Sequence, residues 1–364
     1  MRGVWLIILL GVALFLALDL AFVSWWYAID AGPIRLEVPT ADGWTVVAWH
    51  RPAVQRRYAL PVVLCHGLAN NHSIMEFRGE QNLAKFLSEA GFDCYSVDLR
   101  GAGAARMPDD GPNDATFDDH VQFDLPALVD AVCAHAGSTQ VVWVGHSLGG
   151  LVALAASSST LKDRLAALVT IGSPVFFKMP RQVPWLVRAG YWISVWGQFD
   201  STLIRLLAPV VGRARAPRIT RVTANLRNMD PLTQRFLVAN VFAPMWSGVL
   251  KQLEDWLVND AFRSLDKKRD YREGIPALTL PVLVIGGTVD FLAPPDLTRD
   301  YFDLLTTPVR QLELFGRTYG HSAEYGHGDL VVGKQVQVEV YPVIRRFLEA
   351  HLPAMPVAEP KADP

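Results

Sequence analysis

Residues 141–150 read VVWVGHSLGG, and this stretch constrains the chain more than any other. The apolar run Val141–Val144 enters Gly145-His-Ser147-Leu-Gly149, and a helical pattern of small apolar residues leaves it from Leu151 onward. That order calls for a buried strand, a sharp turn and a helix, with Ser147 at the apex of the turn. The flanking glycines have a steric reason. A Cβ at position 145 or 149 would collide with the adjoining strand and helix. Gly-x-Ser-x-Gly alone is a common pattern. Its placement between strand and helix makes it specific.

The same alternation runs along much of the chain. Short apolar runs of the fully buried kind occur at Pro61–Cys65, Cys94–Val97, Val141–Gly145, Leu168–Ile171 and Pro281–Gly286, with an alternating candidate at Val309–Phe315. Between most of them lie helical patterns such as Gln81–Ala90, Leu125–Ala136 and Leu148–Ser157. This spacing predicts a mostly parallel sheet covered on both faces, with right-handed crossovers. Ile34–Val38 and Trp44–His50, joined through Asp42-Gly43, read as a hairpin forming an antiparallel edge. With 51% apolar and 19% charged residues and a net charge of −2, the chain is not disordered and is not a strongly basic nucleic-acid binder. Cys65, Cys94 and Cys133 form no CxxC pair and read as core thiols, so no disulfide framework or cysteine zinc site is expected.

Residues 1–30 stand apart. From Val4 to Ile29 only Asp19 and Ser24 are clearly polar, and Trp5 and Trp25-Trp26-Tyr27 mark the two ends. Length and aromatic ends predict a retained, single-pass transmembrane anchor, placing the membrane contact at residues 4–29. A cleaved signal peptide and a hydrophobic helix docked on the domain are the alternatives. Arg2 against Asp30 favours an inside amino terminus and places the domain that follows on the non-cytoplasmic side. Asp19 fits least well, because a carboxylate in an apolar layer is costly.

The alternation fails between Pro174 and Ile275. This stretch holds Trp185, Trp192, Trp196, Trp246 and Trp256 and carries 16 Lys and Arg against 8 Asp and Glu. Residues 174–275 therefore read as a helical cap or lid inserted into a core formed by residues 34–173 and 276–351. Its tryptophans are expected to line an apolar pocket. Its arginines form either a solvated basic face or a contact for anionic lipid headgroups. Residues 354–364, with three prolines, read as a flexible tail.

A serine hydroxyl needs a base to act as a nucleophile, and the base needs a carboxylate to hold it. After a nucleophile elbow the order along the chain is acid, then histidine. Asp290 follows the strand Pro281–Gly286, whereas Asp296 and Asp300 read as turn and helix-start residues. His327, in the glycine-flanked loop Tyr325-Gly-His-Gly-Asp329, is the leading base, and the glycines are expected to let its ring approach Ser147. His321 is the second candidate. Backbone N–H groups of Leu148 and of Leu68, in His66-Gly67-Leu68-Ala69-Asn70-Asn71, are the expected oxyanion donors, with Gly67 allowing the turn. His66 is expected to buttress that loop, and His146 to pack within the elbow. Leu99-Arg-Gly-Ala-Gly103 is a glycine turn without the lysine and spacing of a phosphate cradle.

HGLANN, DLRGAG, GHSLGG, GGTVDFLAPPD and YGHGDL occur in this order over roughly Ile34–His351, and the set resembles the α/β-hydrolase superfamily. The last two segments are most similar to the esterase and acid-lipase-type branch. The resemblance implies a mostly parallel eight-stranded α/β sheet with a helical cap, and cleavage of carboxylic or lipid esters by Ser147, Asp290 and His327 without metal or organic cofactor. Position 326 departs from the acid lipases, carrying Gly instead of Asn. The ending Leu148-Gly149-Gly150 is shared with general esterases, thioesterases and acyltransferases. An acyltransferase or thioesterase is the close alternative, and a non-catalytic binding or scaffold protein the remote one.

Overall fold

Segments rich in Val, Leu and Ile alternate their side chains between two faces, and a sheet buried on both faces is where such segments lose most apolar surface to water. The computed structural model describes residues 2–26, 32–109, 114–178, 198–199, 202–205, 208–212 and 222–355. Eight strands form one sheet: β1 (Ile34–Pro39), β2 (Thr45–Arg51), β3 (Val62–Cys65), β4 (Cys94–Asp98), β5 (Val141–His146), β6 (Leu165–Ile171), β7 (Val282–Gly287) and β8 (Arg310–Phe315). Their order is β1-β2-β4-β3-β5-β6-β7-β8. β1 and β2 form the antiparallel edge that the Asp42-Gly43 turn predicts, β2 meets β4 antiparallel, and every later pairing is parallel.

The two faces separate residue by residue. Val63, Cys65, Tyr95 and Trp143 pack with Leu128 and Val132 of α3 (Leu125–Ala136) and with Val152 of α4 (Leu148–Ser157). Val62, Leu64, Val142 and Val144 face Leu83 and Leu87 of α2 (Leu83–Glu89) and Ile344 and Phe347 of the last helix, Tyr341–His351. The three cysteines are buried and free, as core thiols would be.

Between β6 and β7 the alternation is suspended. The described elements there include α5 (Pro231–Phe236), which runs into a π turn at Leu237–Val241, and α6 (Ser247–Asn259). Trp256 of α6 does not line a pocket. It is 1% exposed and packs in the main core against Phe117, Phe177 and Phe262. Trp185, Trp192 and Trp196, with Arg213, Arg215, Arg218 and Arg221, lie outside the described residues, so the expected pocket wall and basic face fall largely there. The start of the expected tail is held: Ala354 bridges Tyr58, and Met355 N–H donates to Arg57 O at 2.7 Å. Residues 356–364 lie outside the described residues.

The amino-terminal segment forms helix α1 (Arg2–Trp26). Among the described residues no helix is long and apolar enough to cross a membrane, which corrects the transmembrane reading of residues 4–29. The end of α1 is engaged by the domain. Asp19 pairs with Arg235 of α5, and Leu20 packs against Ala208 and Ala239. The docked alternative describes its carboxyl-terminal end.

Candidate active site

Ser147 caps the amino end of α4 with φ 52° and ψ −119°, a conformation that costs a side-chain-bearing residue energy. Neighbouring backbone holds it there. Ser147 N–H donates to Ile171 O at 2.8 Å, and Ser173 Oγ–H donates to Ser147 O at 2.9 Å. A Cβ at Gly145 would lie 2.3 Å from Gly149 O, and one at Gly149 would lie 2.5 Å from Cys65 O and His66 O. Both positions exclude any side chain, for the reason that the sequence gives.

Asp290 lies just past β7, its side chain fully buried. Oδ1 accepts N–H bonds from Leu292 and Ala293 at 2.8 and 2.9 Å, which leaves Oδ2 aimed at His327 Nδ1, 2.9 Å away. A carboxylate there places the imidazole proton on Nδ1 and leaves Nε2 as the basic nitrogen. Gly172, φ +58°, follows β6 beside this pair. A Cβ on it would come within 3.1 Å of Asp290 Oδ2 and 3.2 Å of His327 Nδ1. The elbow reaches the same loop through His146, whose ring centroid is 4.9 Å from that of His327 and whose Nε2–H donates to His327 O at 3.2 Å. His146 thus packs beyond its own turn.

The second wall is the loop after β3. Gly67 passes so close to the elbow that a Cβ would lie 3.0 Å from Ser147 Cβ. His66 Nδ1 lies 2.8 Å from Gly67 O, and Leu99 N–H reaches His66 Nε2 at 3.3 Å. A carbonyl only accepts, so Nδ1 carries the proton and the ring is neutral. Burial lowers its pKa to about 4. The inserted region holds the outer side of this loop: Ala243 N–H donates to Ala69 O at 2.8 Å, and Asn71 Nδ2–H to Asn240 O at 2.9 Å. Leu68, between these anchors, packs against the cluster of Trp44, Trp246 and Val249. Leu148 opens α4, so its N–H has no acceptor within the helix and lies at the positive end of the helix dipole.

The remaining candidates fall elsewhere. His321 contacts Gly316 and Phe315, not Asp290. Asp296 sits in the first turn of α7 (Pro295–Leu304), and Asp300 pairs with Lys178 at 3.6 Å. In the Leu99–Gly103 turn, a Cβ on Gly101 would strike the Trp246 indole and one on Gly103 the Asp98 carboxylate, so side chains fill the space a phosphate would need. Burial alone would raise the Asp98 pKa, but the His72 imidazole at 2.9 Å brings it down to about 2. Among the described residues no cluster of His, Cys, Asp and Glu could hold a metal ion.

Sequence reading missed Gly172 and Ser173, although Ile171-Gly-Ser-Pro174 directly follows a buried strand. It also gave the wrong reason for the glycines beside His327. A Cβ on Gly326 would lie 2.8 Å from Asn225 N, and one on Gly328 would lie 3.0 Å from Thr223 O. The inserted chain, not Ser147, demands them.

A family model described as the alpha/beta hydrolase fold matches residues 61–329. Sterol esterase 2 of Saccharomyces cerevisiae is 31% identical over 179 residues, 43% of this chain, and the match spans about a third (33%) of its own length. A poly(3-hydroxyalkanoate) polymerase subunit of Allochromatium vinosum is 23% identical over 346 residues, 88% of this chain and 90% of that one. The esterase EaEST from Exiguobacterium antarcticum superposes with a TM-score of 0.56 at 18% identity, covering 86% of this chain and 98% of its own, a likeness of fold.

Proposed function

The chain belongs to the α/β-hydrolase fold family, and from that premise we propose that it is a serine hydrolase cleaving carboxylic esters with a hydrophobic acyl part. His327 Nε2 takes the Ser147 hydroxyl proton as Oγ attacks the acyl carbon. Asp290 holds the productive tautomer and stabilises the imidazolium that forms. N–H groups of Leu148 and Leu68 receive the negative charge on the carbonyl oxygen, and His327 returns the proton to the departing alcohol. Water repeats the cycle on the acyl-enzyme. The observations that support this reading are the 2.9 Å contact between buried Asp290 and His327 and a serine held at φ 52° where β5 turns into α4. Lipid esters are the favoured class, in line with the sterol esterase relative. The test is turnover of p-nitrophenyl esters from acetate to palmitate by wild type and Ser147→Ala. A rate optimum along the series that vanishes in the variant supports the reading, and hydrolysis retained by Ser147→Ala refutes it.

Acyl transfer to an alcohol, or hydrolysis of a thioester, by the same triad is the second reading, and the similarity to a polymerase subunit over 88% of this chain favours the transferase. Product analysis with an added acceptor separates the two, since a transferase yields acylated acceptor at the expense of free acid.

We further infer that α1 seats the protein on lipid without crossing it. Trp5, Leu6, Ile7, Ile8, Leu9 and Leu10 are each 47–72% exposed. Consecutive helical residues point about 100° apart, so apolar surface surrounds the helix. A protein groove would cover one side of it, whereas acyl chains cover all sides. Co-sedimentation with phosphatidylcholine vesicles tests this, with loss of binding expected for Leu6→Asp/Leu9→Asp/Leu10→Asp. Unchanged sedimentation of that variant would overturn it, and vesicles with added anionic lipid report whether the basic residues of the insertion contribute.

A further inference from the structure

His327 is carried on a loop that a distant part of the chain grips from outside. Gly328 N–H donates to Thr223 O at 2.9 Å, Asn225 Nδ2–H to Glu324 O at 2.7 Å, and Lys334 N–H to Asn228 O at 2.8 Å. The centre of the grip is Asp329, two residues past His327 and wholly buried. Its Oδ1 accepts from Asn225 N–H at 2.8 Å and its Oδ2 from Asn228 Nδ2–H at 2.9 Å, while Gly326 N–H approaches both oxygens at 3.1 Å. One carboxylate therefore ties the residue before His327 to two residues of the region inserted between β6 and β7. Among the described residues no cation pairs with this carboxylate, a costly burial, and burial raises its pKa against the opposing pull of these N–H donors. Core packing alone would be served as well by an apolar side chain.

We propose that Asp329 is a positioning residue, and that with Thr223–Asn228 it clamps the His327 loop so that the imidazole stays registered between Asp290 and Ser147. The clamp rests on the serine-hydrolase reading of this site. It explains why both residues flanking His327 are glycine, since the gripping backbone leaves 2.8–3.0 Å where a Cβ would sit. It also explains the inward side of the loop, where His146 Nε2–H holds His327 O, so that the carrier of the base is tied on both flanks. Asp329 does not touch the imidazole. Its action is through backbone position, and the acceptor geometry matters rather than the charge.

The test compares wild type, Ser147→Ala, Asp329→Ala, Asp329→Asn and Asn228→Ala by kcat and KM on a p-nitrophenyl ester and by the rate of fluorophosphonate labelling. Asp329→Ala is expected to lose about 10²-fold in kcat and in labelling rate, with KM within threefold, because misplaced bases slow chemistry more than binding. Asp329→Asn keeps the acceptor oxygen, and Asn228 can turn its amide to match the new NH2. It is expected to recover to within about tenfold of wild type. Asn228→Ala, which leaves the residues of the His327 loop themselves unchanged and serves where Asp329→Ala does not fold, loosens one side of the clamp and is expected to lose about tenfold in kcat alone. Variants that melt lower yet keep wild-type kcat would overturn the clamp, as would an Asn228→Ala change confined to KM. If instead Ser147→Ala hydrolyses as well as wild type, the hydrolase reading itself fails, a distinct outcome.

Discussion

Asp19, the only carboxylate in α1, is ion-paired with Arg235 of α5, and both side chains are about nine-tenths buried (11% and 10% exposed). The residue that suits an apolar segment least is the one that fastens it to the domain. Asp19→Ala leaves Arg235 charged and nearly dry, so it is expected to destabilise the protein by about 3 kcal/mol. Adding Arg235→Met should restore most of that, since an apolar replacement of a buried pair is close to neutral. Urea unfolding of the single and double variants measures both, and equal stability of Asp19→Ala and wild type would show that the pair is not holding α1.

Ser147 sits at φ 52°, where glycine is at ease and other residues are strained. Ser147→Gly is therefore expected to be more stable than Ser147→Ala by about 1 kcal/mol, although both lack the nucleophile. Thermal unfolding of the two variants reads the difference directly. A Gly variant less stable than the Ala variant would mean that the elbow is relaxed.

His66 is buried and neutral, with its pKa lowered to about 4 from an ordinary 6.5. Below pH 6.5 the unfolded chain takes up a proton that the fold refuses, so this contribution is complete above that pH and is lost as the pH falls toward 4. The stability difference between wild type and His66→Gln should shrink by about 3 kcal/mol between pH 7 and pH 4. A difference that stays constant over that range would contradict the neutral, Nδ1-protonated ring assigned to the loop.

Asp290→Asn keeps the shape of the pair but removes the carboxylate that fixes the Nδ1–H tautomer. A fall of about 10⁴-fold in kcat with little change in KM is expected, as for other triads of this kind. Steady-state kinetics at saturating ester decide it, and a loss below tenfold would remove Asp290 from the acid role.

Much of this architecture is legible from local pattern. Val62–Cys65 and Val141–His146 are short, β-branched and apolar on both faces, which only a covered sheet accommodates, and each of the eight strands of the main sheet lies within three residues of its predicted ends. Asp290 and His327 are legible because chain order fixes them once Ser147 is placed. What escapes the sequence is pairing at long range. Asn228 and Asp329 are 101 residues apart and Asp19 and Arg235 are 216 apart, and no periodicity links them. The glycines around His327 show how a correct position can carry a wrong reason, because the backbone that crowds them comes from a segment whose path the pattern does not give. α1 shows the converse: apolar length predicts a span, while an ion pair and apolar contacts near its end fasten it to the domain.

The central claim is that Ser147 is a nucleophile activated by His327. Incubating the full chain with a fluorophosphonate probe, then locating the adduct by peptide mass spectrometry in wild type, Ser147→Ala and His327→Gln, tests it most directly. The account predicts one adduct on Ser147 in wild type, none in Ser147→Ala, and labelling slowed by at least 10³-fold in His327→Gln. A folded wild type that does not react, or an adduct on any other residue, would contradict it.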